Sequence, residues 1–412
     1  MSHHHDVAIL RDLATLYAEV ASDPIQHERR RLWRLHNNLH PTRPLILVSV
    51  GGWNMWYREM FGEHAMQCKD PFYREHEQVL RWHLHRQTIG DDAICEPWFT
   101  QQACLLQNEG KLWGVEEDHL HSGINGGANK FLPPLRTWQD RSKLTPLHHH
   151  VDEAETARRV ERLQEAIGDI LPINVDRGCV YAGMSADISM ALGYLRGMEQ
   201  IMEDMYEAPE QLHRLLAFMR DAILSCQQEA EDAGAYSLTT QQNQSMLYCD
   251  ELPAPLPNTP CTRKQLWTFF AAQEFTLVSP AMHEEFLLQY QLPIMAQWGL
   301  VAYGCCEDLT KKISMLRQVP NLRQIAVTPV AILARCAEQI QGQYVFSWRP
   351  NPTDMVCCGF AEDAIRGIIR EGLIITKDCR VHLHLKDVET VEGDPGRLAR
   401  WVAIVREEIE KM

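Results

Sequence analysis

The sequence predicts an α/β protein built on a parallel sheet, and three observations carry that expectation. From residue 300 onward, short apolar runs alternate with amphipathic stretches at helical spacing, the mark of strand–helix–strand crossovers. About eight such runs can be counted from residue 44, enough to close a (β/α)8 TIM barrel. No G-x-G-x-x-G follows the first run, which weakens the dinucleotide-binding version of an open, doubly wound sheet. The barrel is the first choice and the open sheet the second. A single domain over 1–412 is expected, with 1–40 as an N-terminal helical extension and long loop insertions.

Taken in order, residues 6–36 read as charged helix, and PLILVSV (44–50) as a buried strand opening into Gly51 and Gly52. Residues 72–89 read as helix and DDAICEPWF (91–99) as the second strand. Residues 105–150 are rich in Gly, Pro, His and Asn without clear periodicity, which suggests a long excursion from the scaffold. A helix over 152–167, a strand at VYAG (180–183) and helix from 197 to 233 come next. Pro209 should divide the last of these at Glu207 or Ala208. YSLTTQ (236–241) is the next strand, then a polar loop to about Arg263 and a helix over 281–297. The strands LVAYGC (300–305), RQIAVTP (323–329), YVFSWRP (344–350) and RVHLHL (380–385) each precede a helix.

Composition narrows the function. A formal charge of −15 repels phosphate backbones and anionic lipid, so nucleic acid and membrane are poor partners. No run reaches the apolar length that spans a bilayer, and the N-terminus lacks a secretory pattern. Thirteen scattered cysteines fit free thiols in a reducing compartment, hence the cytoplasm. P-loop, G-x-S-x-G, H-E-x-x-H and C-x-x-C patterns are all missing.

In parallel barrels the groups just beyond strand C-termini line the mouth. That rule selects Trp53, Trp56, Glu96, Trp98, Cys305, Cys306, Glu307, Thr328, Arg349, Asn351 and the stretch from Cys379 to Asp387. YGCCED offers two thiols and two carboxylates together, and Cys379 could reach the same mouth, so Cys305, Cys379 and Glu307 are candidate metal ligands. Arg349 could hold a substrate carboxylate in a bidentate fork. Glu274, set among apolar residues, and Asp250 are candidates for proton transfer. His382 and His384 should share one face, and Lys386 with Asp387 suggests an ion pair.

The segments RRRLWRLHNNLHPTRPLILV, QEFTLVSPAMHEEF, YGCCEDLTKKI and GLIITKDC resemble the uroporphyrinogen decarboxylase superfamily over nearly residues 25–412. The resemblance implies a (β/α)8 barrel and, in its methyltransferase branch, a zinc ion held by a His-x-Cys pair and a distant Cys. Here the histidine position falls on Tyr303 and the thiols on Cys305 and Cys379, leaving Glu307 to substitute. The function this implies is that of a zinc-dependent methyltransferase-type enzyme for a small molecule, with a corrinoid protein and a homodimer as possible partners. Two alternatives stand beside it: a metal-free decarboxylase or lyase on a small carboxylate, using Arg349 with Glu274 or Asp250, and a non-catalytic barrel that binds a small ligand or corrinoid.

Overall fold

The computed structural model describes residues 2–49, 57, 60–106, 111, 113–116, 118–121, 123, 129–240 and 242–412. Trp53 and Trp56 lie outside the described residues.

Ten strands are described: β1 (Leu45–Val48), β2 (Phe99–Gln102), β3 (Asp118–His121), β4 (Asn129–Leu132), β5 (Ile173–Asp176), β6 (Trp267–Phe270), β7 (Leu300–Tyr303), β8 (Leu322–Val327), β9 (Val345–Trp348) and β10 (Arg380–Leu385). Six form a parallel sheet in the order β1-β10-β9-β8-β7-β6, so the first strand lies beside the last. β2 and β5 form a separate parallel pair, and β3 with β4 an antiparallel hairpin within the 105–150 excursion.

Side chains alternate across the six-stranded sheet, as the pleat requires. Ile46, Val48, Phe270, Val301, Ile325, Val327, Phe346, Trp348, Val381, Leu383 and Leu385 face the helices in the largest apolar cluster. The opposite, inner face takes Leu45 and Leu47 against Trp33, and Trp267, Phe269, Leu300 and Ala302 in a cluster with Cys249 and Cys305. It also carries polar residues, among them Gln324, Ser347, His382 and His384, all buried. The segment around 243–249 covers this face: Ser245 Oγ donates to Gln324 Oε1 at 2.9 Å and Trp267 Nε1 to the Leu247 carbonyl at 2.9 Å.

Several predicted elements sit elsewhere. The second strand is Phe99–Gln102, not 91–99. Residues 91–92 instead satisfy the edge of β1 with carboxylates: Asp91 accepts from the Val48 N–H and Asp92 from the Ile46 N–H, each at 2.8 Å. The third strand is INVD (173–176), while Gly183–Ala186 is a short 3-10 turn. Of the segment YSLTTQ, the described residues 236–240 make only an isolated bridge, Ser237 to Pro260, and the fourth parallel strand is WTFF (267–270). The last four strands lie where the periodicity puts them, and the helix break before Pro209 falls at Ala208. Helices Ser2–Ser22 and Ile25–Asn37 form the N-terminal extension.

Candidate functional site: a thiol pair between two cations

β7 ends at Tyr303, and the chain then leaves the pleat at Gly304, whose φ of +105° is poorly available to other residues. A Cβ there would also sit 2.7 Å from Leu309 Cδ1 and 3.0 Å from Ala326 Cβ. The twist separates neighbours that an extended strand would align. Tyr303 points into the helix layer, donating to Gln291 Oε1 at 2.7 Å and meeting His283 Nε2 at 3.1 Å, whereas Cys305 joins the inner-face cluster.

Cys305 is 4% exposed and its neighbour Cys306 is exposed. Their sulfurs are 3.7 Å apart. Lys386, just beyond β10, places Nζ 3.4 Å from Cys305 Sγ and 3.8 Å from Cys306 Sγ, while pairing with Asp387 at 2.8 Å. Gln244 Nε2 lies 3.7 Å from Cys305 Sγ. The hydrogen bond from Cys306, then the charges of Arg349 and Lys386, bring the Cys305 thiol well below the usual thiol range against the effect of burial. Cys306 is pushed up, first by its hydrogen bond to Cys305, then by burial and by the charge on that neighbour. A sulfur that is thiolate at neutral pH is a far better nucleophile than an ordinary thiol.

Arg349 follows β9 and is 2% exposed. One arm of its guanidinium donates to the Cys305 carbonyl and the other to Gln244 Oε1 at 2.7 Å. The fork predicted to grip a substrate carboxylate is thus occupied by the protein, and Arg349 positions Cys305 and Gln244. Its Nε is buried without a partner, as are Ser347 Oγ and His384 Nδ1. On β10, His384 Nε2 meets Ser49 Oγ at 2.6 Å, and His382 Nδ1 meets His36 Nε2 at 3.0 Å. Both rings are fully buried, and desolvation pushes both well below the usual imidazole range. They are neutral at pH 7.

Glu307 is completely buried, and burial raises its carboxyl. Its two oxygens accept the N–H groups of Ala272 and Cys305, each at 2.8 Å. It is therefore a clamp between the ends of β6 and β7, with Thr328 Oγ1 donating to its carbonyl at 3.1 Å. Glu274 lies beyond β6 and lines a groove of about 290 Å³ with Phe131, Met190, Tyr194 and Met198. Its Oε2 is buried and unpartnered. Nearby Asp187 is fully buried and held well above the normal carboxyl range, by desolvation first and then by the charges of Glu274 and Glu307.

Cys379 is not brought to Cys305. Tyr303 pairs with Ile325, Ile325 with Phe346, and Phe346 with Val381. Cys305 lies two residues beyond that row and Cys379 two before it, an offset of roughly 13 Å along the strands at ~3.3 Å per residue. Cys379 also packs among the helices, its Sγ 3.8 Å from the Ala337 carbonyl. The expected zinc set of Cys305, Cys379 and Glu307 does not assemble: one thiol is at the wrong end of the sheet and the carboxylate is spent on peptide N–H groups. Among the described residues, no three His, Cys, Asp or Glu side chains gather closely enough to hold an ion.

Asp250 is likewise misplaced for proton transfer. It is exposed beside the N-terminal ends of the strands, bonded to Asn38 and 3.5 Å from Arg34. Glu96 and Trp98 precede β2 rather than follow it; Glu96 pairs with Arg30 at 3.0 Å and accepts from Tyr248 at 2.9 Å. Asn351 caps a local turn through the Thr353 N–H. Sequence reasoning missed Gln244, hidden in a polar loop, and read Lys386 only as half of an ion pair. The strand-end rule did select the stretch containing Lys386.

No protein-family model matches this chain, and no curated protein matches it.

Proposed function

We propose that the protein is an enzyme in which Cys305, as a thiolate, attacks a small molecule at the C-terminal end of the strands. The observation that carries this is the Lys386 ammonium 3.4 Å from the Cys305 sulfur, with Arg349 fixing the same residue from behind. The reaction class is transfer of a methyl or other carbon group to sulfur. The sulfur forms a new S–C bond as the bond from carbon to its former carrier breaks, and the leaving group departs with the electron pair. Lys386 is placed to meet negative charge on that leaving group. This keeps the group-transfer part of the resemblance and drops its zinc, since the donors do not fit.

We further propose that β1, β2 and β5 through β10 are the eight strands of one closed (β/α)8 barrel. Three features support it: the parallel strands succeed one another in chain order, β1 pairs with β10, and the Asp91 and Asp92 carboxylates cover the other edge of β1. The Cys305 rim is then the mouth where such barrels bind substrate. No described helix is long and apolar enough to cross a membrane, and all thirteen cysteines are free. The cytoplasm is the location that suits them.

The test is alkylation of the native protein by iodoacetamide across pH, read by peptide mass mapping. Cys305 should react with a midpoint well below the ordinary thiol range, the direction in which Cys306, Arg349 and Lys386 move it. A midpoint in the ordinary thiol range, about 8.5, would remove the nucleophile and the proposal with it.

A further inference from the structure

We infer that Cys305 and Cys306 together form a peroxide-reactive dithiol: Cys305 reduces a hydroperoxide and Cys306 resolves the product as a vicinal disulfide. The inference rests on the Cys305 nucleophile proposed above but assigns it a second chemistry and gives Cys306 a role.

Three features of the geometry converge. The sulfurs are 3.7 Å apart, nearly in van der Waals contact, with no atom needing to travel far for them to bond. The pair is asymmetric: one sulfur is buried beside Gln244 and Lys386, while the other belongs to an exposed residue. Lys386 reaches both sulfurs, at 3.4 and 3.8 Å, so a proton donor stands beside the thiol that would be oxidised and the one that would resolve it. A low-pKa thiolate beside a resolving, accessible thiol is the arrangement that favours reversible oxidation. The Cys305 carbonyl and N–H are held by Arg349 and Glu307, which fixes the attacking sulfur, whereas the Cys306 sulfur has only long contacts to Lys386 at 3.8 Å and Asp387 at 3.9 Å to give up as it turns.

The first step joins the Cys305 sulfur to the distal peroxide oxygen as the O–O bond breaks. The alkoxide or hydroxide released takes a proton and leaves as alcohol or water, and the sulfur is oxidised to sulfenic acid. In the second step the Cys306 sulfur attacks Cys305, the S–S bond forms and the S–O bond breaks. The departing oxygen leaves as water, using the Cys306 proton. The two electrons that reduced the peroxide come from the two thiols. A disulfide between adjacent residues closes a small, strained ring, so an external thiol should reopen it readily.

A second sulfur pair shows why position matters. Cys179 and Cys226 are 3.5 Å apart but both are buried, Cys226 on the inner side of the helix Pro209–Asp232, with no exposed member. It serves as the internal comparison.

The experiment treats the full-length protein with one equivalent of hydrogen peroxide and maps thiols by mass spectrometry, with and without subsequent dithiothreitol. Wild type should lose both rim thiols together in one peptide and regain them with dithiothreitol, while Cys179 and Cys226 stay reduced. Cys306→Ser, at an exposed position, should instead stop at a sulfenic acid that dimedone traps, and Cys305→Ser should give neither product. Lys386→Met should slow the oxidation by up to about tenfold, the full effect being reached at pH well below the Cys305 midpoint, the result of raising that midpoint by about one pH unit. The inference is overturned if Cys305 goes directly to sulfinic acid in wild type, or if Cys306→Ser and wild type give the same product. It is also overturned if peroxide leaves both rim thiols untouched. The acid-range alkylation of Cys305 separates the two ideas. If it holds while the ring fails to form, only the peroxide chemistry is lost; if it fails, both are.

Discussion

The two ends of the parallel strands are built on opposite principles. At the N-terminal end, charged groups are matched: Asp92 accepts from Arg43 at 2.7 Å and Arg406 at 3.2 Å while also taking the Ile46 N–H, and Arg29 donates to the carbonyls of Ala93 and Asp91. At the C-terminal end, two cations converge on Cys305, Lys386 at its sulfur and Arg349 at its carbonyl, and buried polar atoms of Arg349, Ser347 and His384 are left unpaired. The matched end holds the fold, and the mismatched end is available for chemistry.

That contrast can be broken by mutation, and the largest effect should come from the matched end. Asp92→Ala takes the carboxylate from the half-buried Arg43 and Arg406 and leaves the Ile46 N–H without its acceptor, and should cost about 1–3 kcal/mol by denaturant unfolding. The alkylation midpoint of Cys305 in the folded fraction should not move. Asp92 also sets an acid limit. Its native carboxyl is held below its usual value, by the Arg43 hydrogen bond and charges of Arg43 and Arg406 overcoming desolvation. Its contribution is present above the unfolded pKa, about 3.9, and is lost as pH falls through the lower native value. Unfolding midpoints measured downward from pH 5 should therefore fall for wild type and converge on those of Asp92→Asn.

Cys305→Ser comes next in size. It should remove the fast-alkylating thiol and slow total labelling at mildly acid pH by about two orders of magnitude, with stability little changed. Lys386→Met should keep the fast thiol but raise its midpoint by about one pH unit, and its Lys386→Arg counterpart should restore most of the difference. Smallest of all, Cys379→Ser should leave the Cys305 midpoint where it was. A shift there as large as that of Lys386→Met would mean that the two thiols communicate, and would reopen the shared-site reading.

The same two regions explain what could be read from the sequence. The strands beyond residue 300 are flanked by helices of clear period, so their boundaries could be read directly. Their C-terminal ends supplied Cys305, Arg349 and Lys386 by a geometric rule alone. Earlier strands were harder. WTFF at 267–270 is buried on both faces and shows no alternation, so it cannot be told from a buried helical turn by period. INVD at 173–176 is polar at two of its four positions and was outscored by the apolar VYAG nearby, which forms no strand. DDAICEPWF runs beside β1 through side-chain carboxylates instead of a backbone ladder, a substitution no propensity scale describes. The metal expectation failed on register. Spacing along the chain does not say which end of a strand a residue occupies, and Cys379 precedes its strand while Cys305 follows its own.

Glu307 has a mechanical consequence. Because one side chain receives peptide hydrogens from two adjacent strand ends, β6 and β7 cannot part at that rim without breaking one of those two buried bonds. Any breathing that admits a molecule to the sulfur must then come from the far side, where the 243–249 segment covers the inner face. Deuterium uptake should be slow at the amides of Ala272 and Cys305 and faster along 243–249, giving the cleft one fixed jaw and one that moves.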